Sequence, residues 1–101
     1  MKTLKEIEEK IKETTGKIYL RMRVMDLREY NAKTHGKDRI LEKSFGWLVG
    51  LGMAKGIYGL EKSVNFTKGA IAWQIEVELC NPKTPYEQGK KEALSWCIGG
   101  D

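Results

Sequence analysis

An alternating run of aromatic and basic side chains in the first quarter of the chain could bind an anionic ligand. Tyr19, Arg21 and Arg23 are spaced two residues apart, and residues at that spacing lie on one face of a β-strand. Guanidinium groups pair with phosphate oxygens, and a tyrosine ring can stack on a base. We therefore predict that these three residues contact an anionic small molecule, for example a nucleotide.

A glycine-rich apolar segment, Ser44–Gly59, supplies two further predicted ligand contacts, Trp47 and Lys55. As a helix, this segment would be apolar on nearly every side and would have to be buried. As a loop after Gly52, it could present backbone N–H groups to a phosphate beside Lys55. The spacing matches neither G-x-x-x-x-G-K-[ST] nor G-x-G-x-x-G, so the sequence leaves both structures open.

Residues suited to catalysis or metal binding are sparse. The single histidine, His35, lies in the polar stretch Asn31–Asp38, which is typical of a loop. Glu76 and Glu78 would share a strand face and could transfer protons, but arginines on a neighbouring strand would pair with them. We identify no nucleophile beside a base and no set of metal ligands. The sequence therefore favours a non-catalytic protein without a cofactor.

The elements that position these residues begin with an N-terminal helix. Thr3 and Glu6 form a capping box, in which each residue bonds the other's backbone N–H group. Gly16 is suited to a left-handed cap, so we predict that the helix ends there.

A second capping pattern predicts a C-terminal helix over Pro85–Cys97. Thr84 is the predicted N-cap, proline occupies the first helical position, and Glu87 follows at the third. Gly89 is unusual inside a helix and indicates that another backbone approaches closely.

Alternating hydrophobicity predicts two strands, Lys17–Tyr30 and Ala70–Cys80, the second with strict alternation. Leu60–Lys68 is expected to be a connector. Arg39–Lys43 could be a further strand or the first turn of the central helix, and we favour the helix. The predicted fold is α+β, a small and mostly antiparallel sheet with N-terminal, central and C-terminal helices packed on one face.

The composition indicates one domain over residues 1–101, with 41% apolar and 32% charged residues. Lys17–Lys43 contains eight basic and four acidic residues, which permits an anionic partner. Cys80 and Cys97 are too few for a disulfide framework, so we expect free thiols in a reducing cytoplasm. The uncharged run Ser44–Ala54 is shorter than the roughly 20 residues of a membrane span, and we expect no membrane association.

Three functions fit these features. We predict first a non-catalytic binding protein that holds an anionic small ligand, such as a nucleotide, as a homo-oligomer, because two strands make a poor sheet alone. The second hypothesis is a protein-interaction module that inhibits a host or partner enzyme, of the accessory type common in phages and mobile elements. The third, ranked lower, is nucleic-acid binding through the basic sheet face, which would weaken steeply with salt.

Overall fold

A computed structural model of the protein describes residues 1–24, 39–61 and 64–99, apart from the side chains at positions 23, 24, 61 and 64–66. Within these ranges the chain forms four α-helices, and no residue belongs to a strand. The predicted α+β fold is therefore wrong, because the described residues form an all-helical arrangement. The predicted loop Asn31–Asp38, which contains His35, and the end of the first predicted strand, 25–30, lie outside the described residues.

The first helix, α1, spans Leu4–Val24 and begins at the predicted capping box. The backbone N–H of Glu6 donates to Thr3 Oγ1 at 3.2 Å, and the N–H of Thr3 donates to Glu6 Oε1 at 3.2 Å. The N-H groups at the start of a helix have no partner inside the helix. These two bonds therefore stabilise the start of α1 and confirm this part of the prediction.

The predicted end of α1 at Gly16 is wrong, and so is the strand predicted to start at Lys17. The hydroxyl of Thr15 donates to the carbonyl oxygen of Ile11 at 2.7 Å, a bond that lets threonine remain within a helix. The buried or half-buried stripe has spacings of three and four residues throughout and consists of Ile7, Ile11, Thr14 and Ile18. Because this stripe crosses the supposed stop signal, burial continues the helix past Gly16.

The second helix, α2, spans Arg39–Glu61 and contains the whole glycine-rich segment. The helical interpretation of Arg39–Lys43 and Ser44–Gly59 is confirmed, and the alternative loop after Gly52 is wrong. One side of the helix is buried, at Gly46, Gly50, Leu51 and Ala54. A Cβ added at Gly52, Gly56 or Gly59 would meet no atom within 4 Å, so this second glycine stripe is open in the chain.

The third helix, α3, spans Val64–Val77 and includes residues 64–68 of the predicted connector and most of the strand predicted over Ala70–Cys80. Thr67 and Ile71 are buried and Ile75 is half-buried, at a spacing of four residues. A pattern with an apolar residue at every second position also contains one at every fourth. Here the helical subset packs inward, while Trp73 and Val77 are exposed.

The fourth helix, α4, spans Pro85–Ile98 and starts as predicted. The hydroxyl of Thr84 accepts the backbone N–H of Glu87 at 3.1 Å, and the Glu87 carboxylate accepts the backbone N–H of Lys83 at 2.9 Å. The N-cap at Thr84 is confirmed, whereas the Glu87 carboxylate bonds the residue before the cap and not the N–H of Thr84 as in a complete capping box. The helix ends where the N–H of Gly99 donates to the carbonyl oxygen of Ser95 at 2.8 Å.

Helices α2 and α4 cross with their backbones in contact, and they share the largest interface in the described structure. A Cβ on Gly46 would overlap the carbonyl oxygen of Tyr86, and a Cβ on Gly50 would lie 2.8 Å from that of Lys90. On the opposing helix, a Cβ on Gly89 would overlap the carbonyl oxygen of Lys43. The close approach predicted at Gly89 is therefore confirmed, and absent side chains at three positions permit it.

The hydrophobic core lies where all four helices meet. Its buried members are Ile7, Leu51, Ala54, Ile71, Leu79, Ala93, Leu94 and Cys97. The N terminus is fixed to this core because the backbone N–H of Lys2 donates to the carbonyl oxygen of Cys97 at 2.7 Å. The result is a packed scaffold in which α1, α2 and α4 hold their polar edges at fixed positions around a cleft.

Candidate functional site

A cleft of about 340 Å³ lies between α1 and α2, beside α4. Its lining residues are spaced three or four apart on each long helix, so each set forms one edge of its helix. They are Lys10, Thr14 and Lys17 from α1, Ile40, Lys43, Ser44 and Trp47 from α2, and Glu92 from α4. The combination of three ammonium groups, two hydroxyls and an indole ring is chemically suited to an anionic ligand with an apolar part.

Two carboxylates hold the lysines of this cleft in place. Glu13 accepts from Lys17 at 3.2 Å and from Lys10 at 3.5 Å. Glu92 accepts from Lys43 at 3.1 Å through one oxygen and from the indole N–H of Trp47 at 3.1 Å through the other. Exposed pairs of this kind contribute little to folding stability, so an anion in the cleft could replace them at small cost.

The pKa of Glu13 lies below its ordinary value, first because Lys17 donates a hydrogen bond to the carboxylate and then because Lys10 is close. The carboxylate is therefore charged at neutral pH and competes with any anion for the two lysines.

Two of the residues that line the cleft, Trp47 and Lys10, also pack with Trp96, which does not line it. The ring centroids of Trp47 and Trp96 are 6.4 Å apart with planes tilted by 58°. The ammonium of Lys10 lies 5.6 Å from each centroid, and that of Lys2 lies 5.2 Å from the Trp96 centroid. Cations attract the faces of aromatic rings at these distances, so the rings and Lys10 hold each other in position.

A second cavity, of about 360 Å³, adjoins the first and shares Ile40 and Lys43 with it. Its remaining lining residues come from the first residue of α2 and from the start of α4, and they are Arg39, Lys83, Thr84, Pro85 and Gln88. None of its described lining residues is acidic. Arg39 and Lys83 also form no ion pair with any residue that the structure describes.

The structure does not bring the predicted contact residues together. Trp47 lines the cleft, but Lys55 lies about two turns farther along α2 and pairs with Glu8 of α1 at 3.5 Å. No single face of α1 contains positions 19, 21 and 23 together, because position 21 points about 200° away from the other two on a helix. Tyr19 is 68% exposed and lines neither cavity, and the side chain of Arg23 lies outside the described residues.

The expected pairing of Glu76 and Glu78 with arginines across a sheet is also wrong, because these glutamates lie on and just after α3. The two ends of the basic region, Lys17 and Lys43, do meet at the cleft. Sequence reasoning missed Lys10, Arg39 and Lys83. For Lys10, the available signal was its spacing of four and three residues from Thr14 and Lys17. Arg39 and Lys83 meet only through the crossing of α2 and α4.

The two cysteines are free, with Cys80 exposed and Cys97 buried. Burial raises the pKa of the Cys97 thiol to about 12, so this thiol is protonated and unreactive at neutral pH. In the described ranges, no group of three or more histidine, cysteine, aspartate or glutamate side chains is placed to hold a metal ion.

Comparison with known proteins gives no relative from which a role could be transferred. No protein-family model, curated protein or solved structure matches this chain. None of the described helices combines the length and apolar character needed to cross a membrane. Any function must therefore be argued from the two cavities and the exposed surfaces themselves.

Proposed function

We propose that the protein is a non-catalytic binding protein that holds an anionic small molecule, such as a nucleotide, in the two adjoining cavities. The observation that carries this proposal is the set of five cationic side chains around them, namely Lys10, Lys17, Arg39, Lys43 and Lys83. They come from two helices, α1 and α2, and from the turn before α4. Their convergence is therefore a property of the fold and not of one charged stretch.

The charge balance around the cavities favours an anion. The nearby carboxylates are Glu13 and Glu92, which pair with three of the lysines, and Glu87, which accepts the Lys83 backbone N–H. Of the described residues that line the cavities, five are cationic and one, Glu92, is a carboxylate, and the positive potential in a concave site raises the local concentration of anions. Each cavity volume is at the lower end of the range of roughly 300–1,000 Å³ for small-molecule sites.

Thermal unfolding in the presence of linear and cyclic nucleotides tests this function. Ligand at about 100 times its Kd should stabilise the fold by about 2.7 kcal/mol and raise Tm by roughly 10 °C or more. Lys17→Gln and Lys43→Gln should each reduce that shift. Lys68→Gln removes the same charge from the exposed surface of α3 and is the matched control. If no member of the panel shifts the Tm of the unmodified protein, the proposed function is wrong.

A second candidate function, protein interaction through self-association, is favoured by exposed apolar side chains. Trp73 and Val77, one turn apart on α3, are 55% and 54% exposed, and Leu60 at the end of α2 is 83% exposed. Such side chains gain free energy when another surface covers them. We propose a second copy of this chain as the partner. Nucleic-acid binding through a sheet face is not proposed, because the described residues contain no sheet.

Native mass spectrometry of the purified protein tests self-association and would also detect a co-purified anion. A dimer that Trp73→Gln weakens and Glu76→Gln on the same helix leaves intact would support the second candidate. A monomer at every concentration would exclude it.

The two free thiols are consistent with the reducing cytoplasm, which is where we propose that the protein acts.

A further inference from the structure

Arg39 and Lys83 differ from the other cations around the cavities because neither pairs with a carboxylate of the described residues. Lys10, Lys17 and Lys43, like Lys55 outside the cavities, each pair with a glutamate at 3.1–3.5 Å. Arg39 and Lys83 line the same cavity and form no ion pair among residues 1–24, 39–61 and 64–99. Two like charges around one cavity repel each other unless an anion lies between them.

Two backbone N–H groups at the start of α4 already have partners within the chain. The Lys83 N–H is bonded to the Glu87 carboxylate, and the Glu87 N–H is bonded to the Thr84 hydroxyl. The charged side chains of this cavity that have no carboxylate partner among the described residues are Arg39 and Lys83, and Gln88 lines the cavity with them. A guanidinium offers a planar fork of donors that matches two oxygens of a phosphate group, and an ammonium adds a point charge.

The apolar surface next to these cations continues into the first cavity. Ile40 lines both cavities and is 61% exposed, while Pro85 lies on the side of the second. Beyond Ile40, the first cavity reaches the edge of Trp47 and the hydroxyls of Thr14 and Ser44. A ligand with a phosphate at one end and a ring at the other could thus place the phosphate against the cations and the ring against the apolar and aromatic side chains.

We propose that the ligand is a phosphate monoester, that its phosphate group binds between Arg39 and Lys83, and that its ring extends over Ile40 toward Trp47. This inference rests on the proposed function and specifies the ligand class and its orientation. The residues assigned to the phosphate are Arg39, Lys83 and Gln88, and those assigned to the ring are Ile40 and Trp47. Lys43, which lines both cavities, lies between the two ends of the ligand.

Isothermal titration calorimetry with three probes tests the assignment: adenosine monophosphate, inorganic phosphate and adenosine. The monophosphate should bind most tightly, phosphate alone more weakly, and adenosine more weakly than the monophosphate by at least tenfold. Arg39→Gln and Lys83→Gln should each weaken monophosphate binding at least tenfold and leave adenosine binding unchanged. Lys68→Gln should alter neither affinity. Circular dichroism of each variant would establish that the helices are retained.

The possible failures are distinguishable. If the monophosphate binds and Arg39→Gln and Lys83→Gln behave like Lys68→Gln, the phosphate site is wrong, while anion binding by the protein stands. If adenosine binds as tightly as the monophosphate, the phosphate is not recognised and the orientation is wrong. If none of the three probes binds and the nucleotide panel also fails to raise Tm, both this inference and the proposed function are wrong.

Discussion

Gly89 of α4 lies against the backbone carbonyl of Lys43 in α2, with no room for a side chain between them. A Cβ on Gly89 would lie 3.0 Å from the Lys43 carbonyl carbon and would overlap its oxygen. The same Lys43 extends its ammonium to Glu92, one turn beyond Gly89, at 3.1 Å. The crossing of the two helices therefore fixes a residue that lines both cavities.

Substitution of Gly89 by alanine should destabilise the protein. The added methyl group meets backbone atoms, which cannot rotate away, so the helices must separate locally. We expect a loss of about 1–3 kcal/mol or more in the free energy of unfolding, as for other overpacked sites. Urea denaturation monitored by circular dichroism measures this change.

Gly52→Ala is the matched control for Gly89→Ala. A Cβ at Gly52 meets nothing within 4 Å, and alanine is the better helix former by about 1 kcal/mol. The control should therefore be stable or slightly stabilised. Equal destabilisation by both substitutions would show that glycine at these positions does not act through the helix crossing.

Thr84→Ala should shorten or loosen the start of α4. The Thr84 hydroxyl accepts the Glu87 N–H at 3.1 Å, and loss of an N-cap of this kind costs about 1 kcal/mol. Thr84→Ser keeps the acceptor and should restore most of the stability. Hydrogen exchange of the first amides of α4 reports the local effect, and unchanged exchange in Thr84→Ala would contradict the capping role.

The buried Cys97 thiol should make the protein less stable at alkaline pH. Its pKa is raised to about 12 from an ordinary value of 9.0, so above pH 9 the unfolded chain loses a proton that the folded chain keeps. Stability should fall as pH rises from about 9 to 12, by up to about 1.4 kcal/mol per pH unit from this group alone.

Comparison of two variants isolates that contribution. Cys97→Ala should remove this part of the slope, whereas Cys80→Ala, which removes an exposed thiol, should preserve it. A disulfide-exchange reagent at neutral pH should modify Cys80 rapidly and Cys97 only after unfolding. Rapid modification of both thiols in the folded protein would mean that Cys97 is accessible.

Glu92→Gln should strengthen anion binding. The carboxylate occupies Lys43 and lines the first cavity, so neutralising it releases a cation and removes a repulsive charge. We expect a severalfold gain in affinity for adenosine monophosphate, measured by calorimetry at low salt, because screening weakens such effects. Glu78→Gln removes an exposed charge after α3 and should leave affinity unchanged. A loss of affinity in Glu92→Gln would place the anion elsewhere.

The local signals of the two capped helix starts could be read from the sequence, whereas the helix–strand distinction could not. The caps at Thr3 and Thr84 depend on residues within four positions, and both are present. The alternation of apolar residues across 70–80 predicted a strand, and the Thr15–Gly16 pair predicted the end of the first helix. In both segments the residues spaced three and four apart are buried, and this burial stabilises the helix because tertiary packing outweighs local propensity.

The candidate site shows the same division. Trp47 lines the cleft, but the common face of Tyr19 and Arg21 requires a strand, and both residues lie in α1. Arg39 and Lys83 are far apart in sequence and neither is part of a motif. Their meeting depends on which glycine stripe of α2 is covered, and the sequence contains two. Only the packing at Gly46 and Gly50, not at Gly52 and Gly56, identifies the side that faces α4.

The backbone contact between α2 and α4 has a consequence for the thermodynamics of ligand capture. Because Gly46 and Gly89 hold the two helices at one separation and register, the geometry of the second cavity is set when the chain folds. Binding then requires little ordering of the main chain, and the entropic penalty is confined to the long side chains of Arg39 and Lys83. A preorganised receptor of this kind should associate without a slow isomerisation step.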